Sequence, residues 1–371
     1  MSDDLPPEPD RAPGAPHPRD TVQLFGQGAV EAGFLKVYNA GRLHHGWLIT
    51  GPRGVGKATL AWRIARFLLA TPPEEGDSLF GDALPKPDTL DISPDHPVAH
   101  RIAARSEPGL YHITRSVNEK TGRLRDMIVA EDVRDLNKFL QLSAADGGRR
   151  VVIIDAADEM NVQAANALLK MLEEPPARTT LLLISHQPAR LLPTIRSRCR
   201  ELRLASLSPD DMAAALAQAG IDPGPNPEAL AELSAGSVGE AVRLITLDGL
   251  ALYGEIIGLL GSLPQLDRPR ALKLAEQAAT RGGEERLDLL LHLTDVALAR
   301  LARSGATGHP PAEAAPHEGK TFQRLAPTPE KGRAWAACAQ EIGARMRHGR
   351  AVNLDPAALV LDMVFRMQQT A

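Results

Sequence analysis

The sequence has few cysteines and few aromatic residues. Its 371 residues include 2 cysteines, Cys199 and Cys338, and only 4% of the residues are aromatic. Two cysteines so far apart cannot form a zinc knuckle, a Cys-x-x-Cys pair or a framework of several disulfides. Disulfide-rich secreted proteins are therefore excluded, and the cysteine usage is typical of a reducing compartment.

Long apolar runs and a strong excess of one charge are also missing. No stretch reaches the roughly 18 consecutive apolar residues of a membrane span, and the acidic, proline-rich start is unlike a signal peptide. The formal net charge is −4, so no global basic field attracts the chain to nucleic acid. We expect a cytoplasmic protein without a membrane partner, in which any DNA contact is local or shared.

The pattern of the chain changes twice along its length. Residues 1–20 are rich in proline and acids, which predicts a disordered tail. Residues 21–206 alternate apolar strands with helices, a pattern that predicts an α/β domain with a parallel sheet. Strand signals end near residue 205, and we predict a small helical region over 207–248 and a longer all-helical region over 249–371. The strands are predicted at 47–50, 151–154 and 181–184, with weaker signals at 90–92 and 110–114.

A phosphate-binding loop is predicted between the first strand and the helix that follows it. The segment Gly51-x-x-x-x-Gly56-Lys57 has the spacing with which backbone N–H groups and a lysine cradle phosphates. The next position normally holds a Ser or Thr that coordinates magnesium, but here it is Ala58. Thr59 comes one residue late and is turned by about 100° around the helix, so it is a poor substitute. The candidate nucleotide-binding residues of this segment are Gly51, Gly54, Gly56, Lys57 and Thr59.

The second half of the predicted nucleotide site is Asp155, at the end of the strand 151–154. ATPases of this kind carry a glutamate directly after this aspartate to activate water, and here that position holds Ala156. We expect Asp158 and Glu159, which follow in a turn, to be solvated. The site therefore combines the frame of an ATPase with two missing chemical groups. No cofactor is required, and passive ATP or ADP binding stays open.

A metal site is not expected. His96 and His100 are four residues apart, but no cysteine lies near them in the sequence. We interpret them as ordinary surface histidines.

Several strings of the sequence together carry a likeness to a known family. They are Leu43-His-His45, residues 51–59, residues 148–158, residues 166–176, Ser197-Arg198-Cys199, Gly236-Ser237 and residues 353–356. In these strings the chain resembles the delta-prime family of bacterial DNA polymerase III clamp-loader subunits, which belong to the AAA+ superfamily. The strings 166–176 and 197–199 are the most specific for clamp-loader subunits.

The resemblance implies both an architecture and a set of partners. It implies an AAA+ α/β domain over 21–206, a helical lid over 207–248 and a helical collar for oligomerisation over 249–371. The chain would be one subunit of the hetero-oligomeric clamp loader, which places the sliding clamp on primed DNA during replication. The implied partners are the motor subunits and the clamp-opening delta subunit, contacted through the collar and the AAA+ faces, with the sliding clamp and primed DNA.

The resemblance further implies that Arg198 is an arginine finger that completes the ATP site of a neighbouring motor subunit. Such fingers accelerate phosphoryl transfer by about 10³ to 10⁵. The other nearby arginines are expected to be solvated or to make weak contacts with DNA or another subunit; they are Arg190, Arg196, Arg200 and Arg203.

Local differences separate the chain from the family's motor subunits. Ala58, Ala156 and Gly239 stand where motors carry Ser or Thr, Glu and Arg, respectively. We therefore expect a mostly rigid stator without ATPase activity of its own. The alternative is an active AAA+ ATPase, either a clamp-loader motor or a related replication or recombination ATPase, because Lys57 and Asp155 are retained. A third alternative is a scaffold whose side chains serve no active site.

Overall fold

The computed structural model describes residues 8–71, 86–141, 148–280 and 283–371. These residues fall into two compact units. The first holds the residues up to Ile221 together with Gly236–Glu240, and the second holds Asp222–Ala235 and Ala241–Ala371. The predicted lid is therefore divided between the two units, and the predicted domain boundaries stay a prediction.

The first unit is built around a five-stranded parallel sheet. The strands lie in the order β2-β3-β4-β1-β5 and are β1 (Gly46–Thr50), β2 (Leu110–Ile113), β3 (Arg150–Ile154), β4 (Thr179–Ile184) and β5 (Arg200–Arg203). Its helices are α1 (Gly28–Asn39), α2 (Lys57–Ala70), α3 (Pro97–Ala103), α4 (Ala130–Gln141), α5 (Val162–Glu173), α6 (Pro193–Arg196) and α7 (Pro209–Gln218). The α/β fold with a parallel sheet that the sequence predicts is confirmed.

Four of the five predicted strand segments are strands of this sheet. The signals at 47–50, 110–114, 151–154 and 181–184 correspond to β1, β2, β3 and β4.

The prediction of a strand at 90–92 is wrong. This segment buries Leu90, while Asp91 Oδ1 accepts a hydrogen bond of 2.8 Å from Arg63 Nη2. Leu90 therefore packs in the core, although the backbone of this segment does not pair with a strand of the sheet. Conversely, β5 gives no sequence signal, because Leu202 is the only buried residue in this charged strand.

The centre of the sheet is buried on both faces. Every residue of β1 and β4 is buried, as is typical of parallel strands covered by helices on both sides. Helix α5 packs against this core and buries Leu168 and Leu172. Asn161 caps this helix, because its Oδ1 accepts a hydrogen bond of 2.8 Å from Ala164 N. The helix ends at Glu173, shortly before two prolines that cannot continue it.

The segment 8–20 is ordered in the first unit, so the prediction of a disordered tail is wrong for these residues. The remaining part of that prediction, residues 1–7, lies outside the described residues. The Glu8 carboxylate accepts hydrogen bonds from the guanidinium groups of Arg19 and Arg105. Ion pairs thus hold a segment whose composition alone argues for disorder.

Further polar contacts bury the same segment. Asp10 Oδ2 lies 2.8 Å from His17 Nε2 and 3.5 Å from His112 Nε2. Arg66 Nη2 donates a hydrogen bond of 2.6 Å to Arg19 O. His17 and Arg19 are consequently 3% and 7% exposed, far less than is usual for such residues.

The second unit is helical throughout its described residues. Its helices are α8 (Pro227–Ser234), α9 (Val238–Thr246, whose first turn belongs to the first unit), α10 (Gly249–Ser262), α11 (Arg268–Ala278), α12 (Glu284–Thr307), α13 (Glu318–Leu325), α14 (Pro329–Ala351) and α15 (Pro356–Thr370). Apolar residues recur at helical spacing from Glu284 to Arg303, which predicts a long helix with one buried stripe; this helix is α12, which extends four residues beyond Arg303. The predicted buried stripe of α12 is confirmed except at Leu291, which is half-buried; its buried members are Leu287, Leu290, Thr294, Leu298 and Leu301.

In the sequence, Asp355 followed by Pro356 predicts a helix start, and Leu359, Met363 and Met367 predict its buried face; the last helix has both. Asp355 is the N-cap of α15, and its Oδ2 accepts a hydrogen bond of 2.9 Å from Ala358 N. Leu359, Met363 and Met367, four residues apart, are all buried on one face.

Within the described ranges, no single helix is long and apolar enough to cross a membrane. Val238–Thr246 and Gly249–Ser262 meet the criteria of length and composition only as a pair, which is bent by 80°.

Candidate functional site

The predicted phosphate-binding loop connects β1 to α2. Strand β1 ends at Thr50 and α2 begins at Lys57. The backbone φ angles of Gly51, Gly54 and Gly56 are 136°, 76° and 95°, which side chains other than glycine rarely adopt. The local conformation therefore requires glycine at the three positions of the predicted motif.

Close packing inside the first unit imposes the same requirement. A Cβ atom on Gly51 would lie 2.5 Å from Leu204 O, and one on Gly56 would lie 2.5 Å from Leu24 Cδ1. Both distances are shorter than any van der Waals contact. The contact of Gly51 is with backbone, whereas Leu24 is a flexible side chain that can move aside, so packing requires glycine at position 51 whether or not the loop binds a phosphate.

The third glycine of the loop packs against the segment 236–240. A Cβ atom on Gly54 would lie 2.3 Å from Ser237 Oγ, and Gly54 O accepts a hydrogen bond of 3.2 Å from Gly239 N. A Cβ atom on Gly239 would in turn lie 3.0 Å from Gly54 Cα. A side chain at position 239, such as the arginine that the resemblance implies for motor subunits, therefore fits only if the loop shifts by a few tenths of an ångström.

Lys57 is turned toward the backbone of its own loop. Its Nζ donates hydrogen bonds to Gly51 O, at 2.8 Å, and to Pro52 O. The side chain is buried, and burial lowers the pKa of Lys57 to about 8, although the nearby Asp155 and Asp158 oppose this shift. The lysine thus lies where the motif predicts it and is held by the loop carbonyls.

Asp155 follows β3 and lies near Lys57. Its backbone N–H donates a hydrogen bond of 2.9 Å to Ile113 O, which fixes it at the end of the sheet. Burial raises the pKa of Asp155 to about 7, and the charge of Asp10 adds to this shift while that of Lys57 opposes it. Near neutral pH the carboxyl group is therefore only partly ionised, which weakens it as a magnesium ligand.

The raised pKa leads to a prediction about stability. The folded-state pKa of about 7 lies above the ordinary value of 3.8, so the contribution of Asp155 is present at low pH and is lost as pH rises through 7. We expect Asp155→Asn to raise the free energy of unfolding at pH 8 by about 1–3 kcal/mol. The gain should be smaller at pH 5. Urea unfolding of both chains at the two pH values measures it, and an equal difference at both would contradict the raised pKa.

Asp158 is a structural acid, and the expectation that it is solvated is wrong. It is 8% exposed, and its two carboxylate oxygens accept hydrogen bonds from His186 N, at 2.9 Å, and Gln187 N, at 3.1 Å. It thereby ties the turn after β3 to the loop after β4. Burial and the charge of Lys57 lower the pKa of His186 to about 4, so this imidazole is neutral at physiological pH.

The other residues singled out in the predicted site lie around the loop and the turn after β3. Ala58 and Thr59 lie in the first turn of α2 and are partly exposed. Ala156 is 3% exposed. Glu159 Oε2 lies 2.9 Å from Arg115 Nε, in an ion pair.

Arg198 lies on the surface between α6 and β5. Its Nη2 is 2.8 Å from Glu173 Oε1, and its Nη1 donates a hydrogen bond of 3.0 Å to Thr194 O. The side chain is 36% exposed. The guanidinium group is thus held in place and still open to solvent.

Three strings of the family resemblance meet around Arg198. His45 Nε2 is 3.0 Å from Leu172 O. A Cβ atom on Gly46 would lie 3.0 Å from Leu172 Cδ2, 3.2 Å from Arg198 O and 3.4 Å from Cys199 Sγ. The strings 43–45, 166–176 and 197–199 are therefore neighbours in space at the start of β1.

Arg198 lies far from the phosphate-binding loop of its own chain. It adjoins the first residue of β1, Gly46, whereas the loop follows the last, Thr50. With a rise of about 3.3 Å per residue, these ends are about 13 Å apart. The structure therefore brings Lys57 and Asp155 together at the carboxyl ends of the strands but leaves Arg198 at their N-terminal ends.

The other residues of the arginine segment have ordinary surroundings. The Arg200 guanidinium lies 5.7 Å from the centre of the Trp47 ring, in a cation–π contact, while Arg190, Arg196 and Arg203 are exposed. Cys199 is half-buried, and burial raises the pKa of its thiol to about 12, so it holds no reactive thiolate.

The predicted absence of a metal site stays a prediction. His96 serves as the N-cap of α3, where its Nδ1 accepts a hydrogen bond of 3.2 Å from Val98 N. His100 is exposed. In the parts of the chain that the structure describes, no group of three or more His, Cys, Asp or Glu side chains has the arrangement of a metal site.

The parallel sheet, the glycine-rich loop between β1 and α2 and the acid after β3 define an α/β protein with the frame of a phosphate-binding-loop site. The sequence model of the family described as "DNA polymerase III, delta subunit" matches residues 26–208. Over this region, which is just under half of the chain, the sequence is similar to that family and to curated DNA polymerase III delta' subunits.

Individual relatives carry related names. The DNA polymerase III subunit delta' of Pseudomonas aeruginosa is 39% identical over 204 residues, which are 54% of this chain and 55% of that protein. The subunit tau of Salmonella typhimurium is 29% identical over 291 residues, 74% of this chain and 40% of that protein. The chain thus spans about half the length of the curated relatives it matches. A crystal structure of a DNA polymerase III gamma subunit-related protein from Thermotoga maritima covers 91% of this chain and 99% of its own, with 18% identity and a TM-score of 0.43.

Proposed function

We propose that this chain is a non-hydrolysing subunit of a DNA polymerase III clamp loader that supplies Arg198 to the ATP site of a neighbouring motor subunit. The observation that carries this proposal is the position of Arg198. Its guanidinium group is ordered, partly exposed and at the opposite end of β1 from the chain's own phosphate-binding loop. Such a cation can reach the γ-phosphate only of a nucleotide bound to another subunit.

The state of the chain's own loop supports a role without hydrolysis. Lys57 is hydrogen-bonded to loop carbonyls, and Ala58 offers no hydroxyl for magnesium. Ala156 supplies no general base, and Asp155 is partly protonated at neutral pH. No cofactor is required for the proposed role, and the loop would take up ATP or ADP only passively.

The proposed partners follow from the family. The relatives are named as delta', tau and gamma/tau subunits of DNA polymerase III, and we propose that this chain assembles with subunits of that complex. These are the motor subunits and the clamp-opening delta subunit, contacted through the helical second unit and the AAA+ faces. Sliding clamp and primed DNA would then be partners of the assembly, because the net charge of −4 gives this chain no general attraction to DNA.

The alternative function is an active AAA+ ATPase. Two observations favour it: Lys57 and Asp155 are retained and lie near each other, and a tau subunit aligns over 74% of the chain. The two functions differ in whether the isolated chain turns over ATP.

We expect the isolated chain to hydrolyse essentially no ATP in the presence of magnesium, because it lacks both the magnesium-binding hydroxyl and the water-activating carboxylate. Phosphate release measures this, with a tau-type motor subunit assayed in parallel as the positive control. Turnover by the isolated chain that is abolished in Lys57→Ala would establish the alternative. Calorimetric titration with ATP, with and without magnesium, separates passive binding from no binding.

A further inference from the structure

The Arg198 side chain is anchored at two points on its own chain. Its Nη2 lies 2.8 Å from Glu173 Oε1, and its Nη1 donates a hydrogen bond of 3.0 Å to Thr194 O. A guanidinium group has five N–H donors, so these contacts use two and leave three for a ligand. Anchoring on different nitrogens fixes both the direction and the rotation of the planar group.

The Glu173 carboxylate contributes little to the stability of the fold. Its side chain is 49% exposed and that of Arg198 is 36% exposed. Ion pairs with this degree of exposure add little to folding, because solvent screens the charges and both side chains lose rotamer freedom. The pair therefore needs an explanation other than stability.

The position of Glu173 on its helix is electrostatically unfavourable. It is the last residue of α5, and the helix dipole disfavours a negative charge at a C-terminus. Arg198 supplies the compensating positive charge. The next residue, Glu174, is also exposed but makes no ion pair in the described part of the chain. The two neighbouring acids thus differ in their contact with Arg198, which makes Glu174 a matched control.

We propose that Glu173 is a positioning residue for Arg198, holding the guanidinium group in the orientation in which it enters the neighbouring ATP site. This inference rests on the proposed function of Arg198 in trans. A group that is already oriented before binding loses less freedom in the transition state than a mobile one. Glu173 itself does not contact the nucleotide and acts only through Arg198.

The test uses the clamp-loader complex reconstituted with this chain and measures its DNA-stimulated ATP turnover. Four variants are compared with the unaltered chain: Glu173→Gln, Glu174→Gln, Arg198→Ala and the double variant Glu173→Gln/Arg198→Ala. We expect Glu173→Gln to lower kcat to a value between those of the unaltered chain and Arg198→Ala, with the KM for ATP within about twofold, because positioning acts on the chemical step. Glu174→Gln should match the unaltered chain.

The double variant separates positioning from a structural role. If Glu173 acts only through Arg198, the double variant has the same turnover as Arg198→Ala alone. A further loss in the double variant, an increase of turnover in Glu173→Gln, or equal values for Glu173→Gln and Glu174→Gln would each overturn the inference. In those cases a loss in Arg198→Ala still supports the proposed function. An unchanged Arg198→Ala removes the proposed function and, with it, this inference.

Discussion

Replacing Arg198 by alanine is expected to depress the DNA-stimulated ATP turnover of the assembled complex while leaving the assembly intact. An arginine finger offsets charge that develops on the γ-phosphate and accelerates phosphoryl transfer by about 10³ to 10⁵. The ATP site that Arg198 serves should therefore lose nearly all of its activity. The ATP turnover of the complex should fall by at least the fraction that this site contributes. Assembly should persist, since the side chain is partly exposed and its ion pair with Glu173 contributes little to folding.

The control for this prediction is Arg196→Ala. Arg196 is an exposed arginine two residues away, so its loss changes the local charge equally but should leave turnover unchanged. Arg198→Lys is expected to restore little activity, because an ammonium group lacks the planar fork that binds phosphate oxygens. If turnover of the complex is the same with Arg198→Ala as with the unaltered chain, the role in trans is refuted and the scaffold alternative gains support. Size-exclusion chromatography of the complex shows whether assembly is intact.

The parts of the fold that depend on local pattern could be predicted from the sequence. Strands β1, β3 and β4 are apolar runs, because they are buried on both faces, and α15 carries its cap in the sequence as Asp355 followed by proline. β5 could not be predicted, because three of its four side chains are charged and exposed. What makes it a strand is its pairing with β1, a contact between residues about 150 positions apart.

The order of the segment 8–20 was likewise hidden from the sequence. Composition predicts disorder where little apolar surface is available to offset the loss of chain entropy. Here Glu8, Asp10 and His17 are instead held by ion pairs and hydrogen bonds. Arg105 and His112, two of the groups that contact them, come from distant parts of the chain. Only the folded structure brings such groups together.

In the candidate site, too, the features that follow from a motif could be predicted, whereas those that depend on burial could not. The spacing of the loop glycines, Lys57 and Asp155 follows from a motif and is visible in the sequence. The raised pKa of Asp155 and the two hydrogen bonds that Asp158 accepts depend on burial, which the sequence does not state. Glu173 lies in the string 166–176, but nothing in that string predicts its contact with Arg198, which is 25 positions further along the chain.

The second large effect is expected in the helical unit, at the buried carboxylate of Glu318. This side chain is 0% exposed, and its Oε1 accepts hydrogen bonds from Tyr253 Oη, at 2.6 Å, and from Arg300 Nε, at 2.8 Å. Its Oε2 accepts one of 2.6 Å from Ala314 N. Burial and the nearby carboxylate raise the pKa of Tyr253 well above its usual range, so its hydroxyl stays a donor. One carboxylate therefore joins α10, α12 and the connector before α13.

Glu318→Ala is expected to lower the free energy of unfolding by about 3–5 kcal/mol, because it removes the buried ion-pair partner of Arg300 and leaves the Tyr253 hydroxyl without its acceptor. Glu318→Gln should cost less, since it keeps the volume and one acceptor oxygen. The control is Glu341→Ala, which breaks an exposed pair with Arg366 and should cost at most about 1 kcal/mol. Urea unfolding of the full chain, followed by far-UV circular dichroism, measures all three. If the alanine variants at 318 and 341 lose the same amount, the buried network does not hold the connector in place, and apolar packing of α13 would have to do so instead.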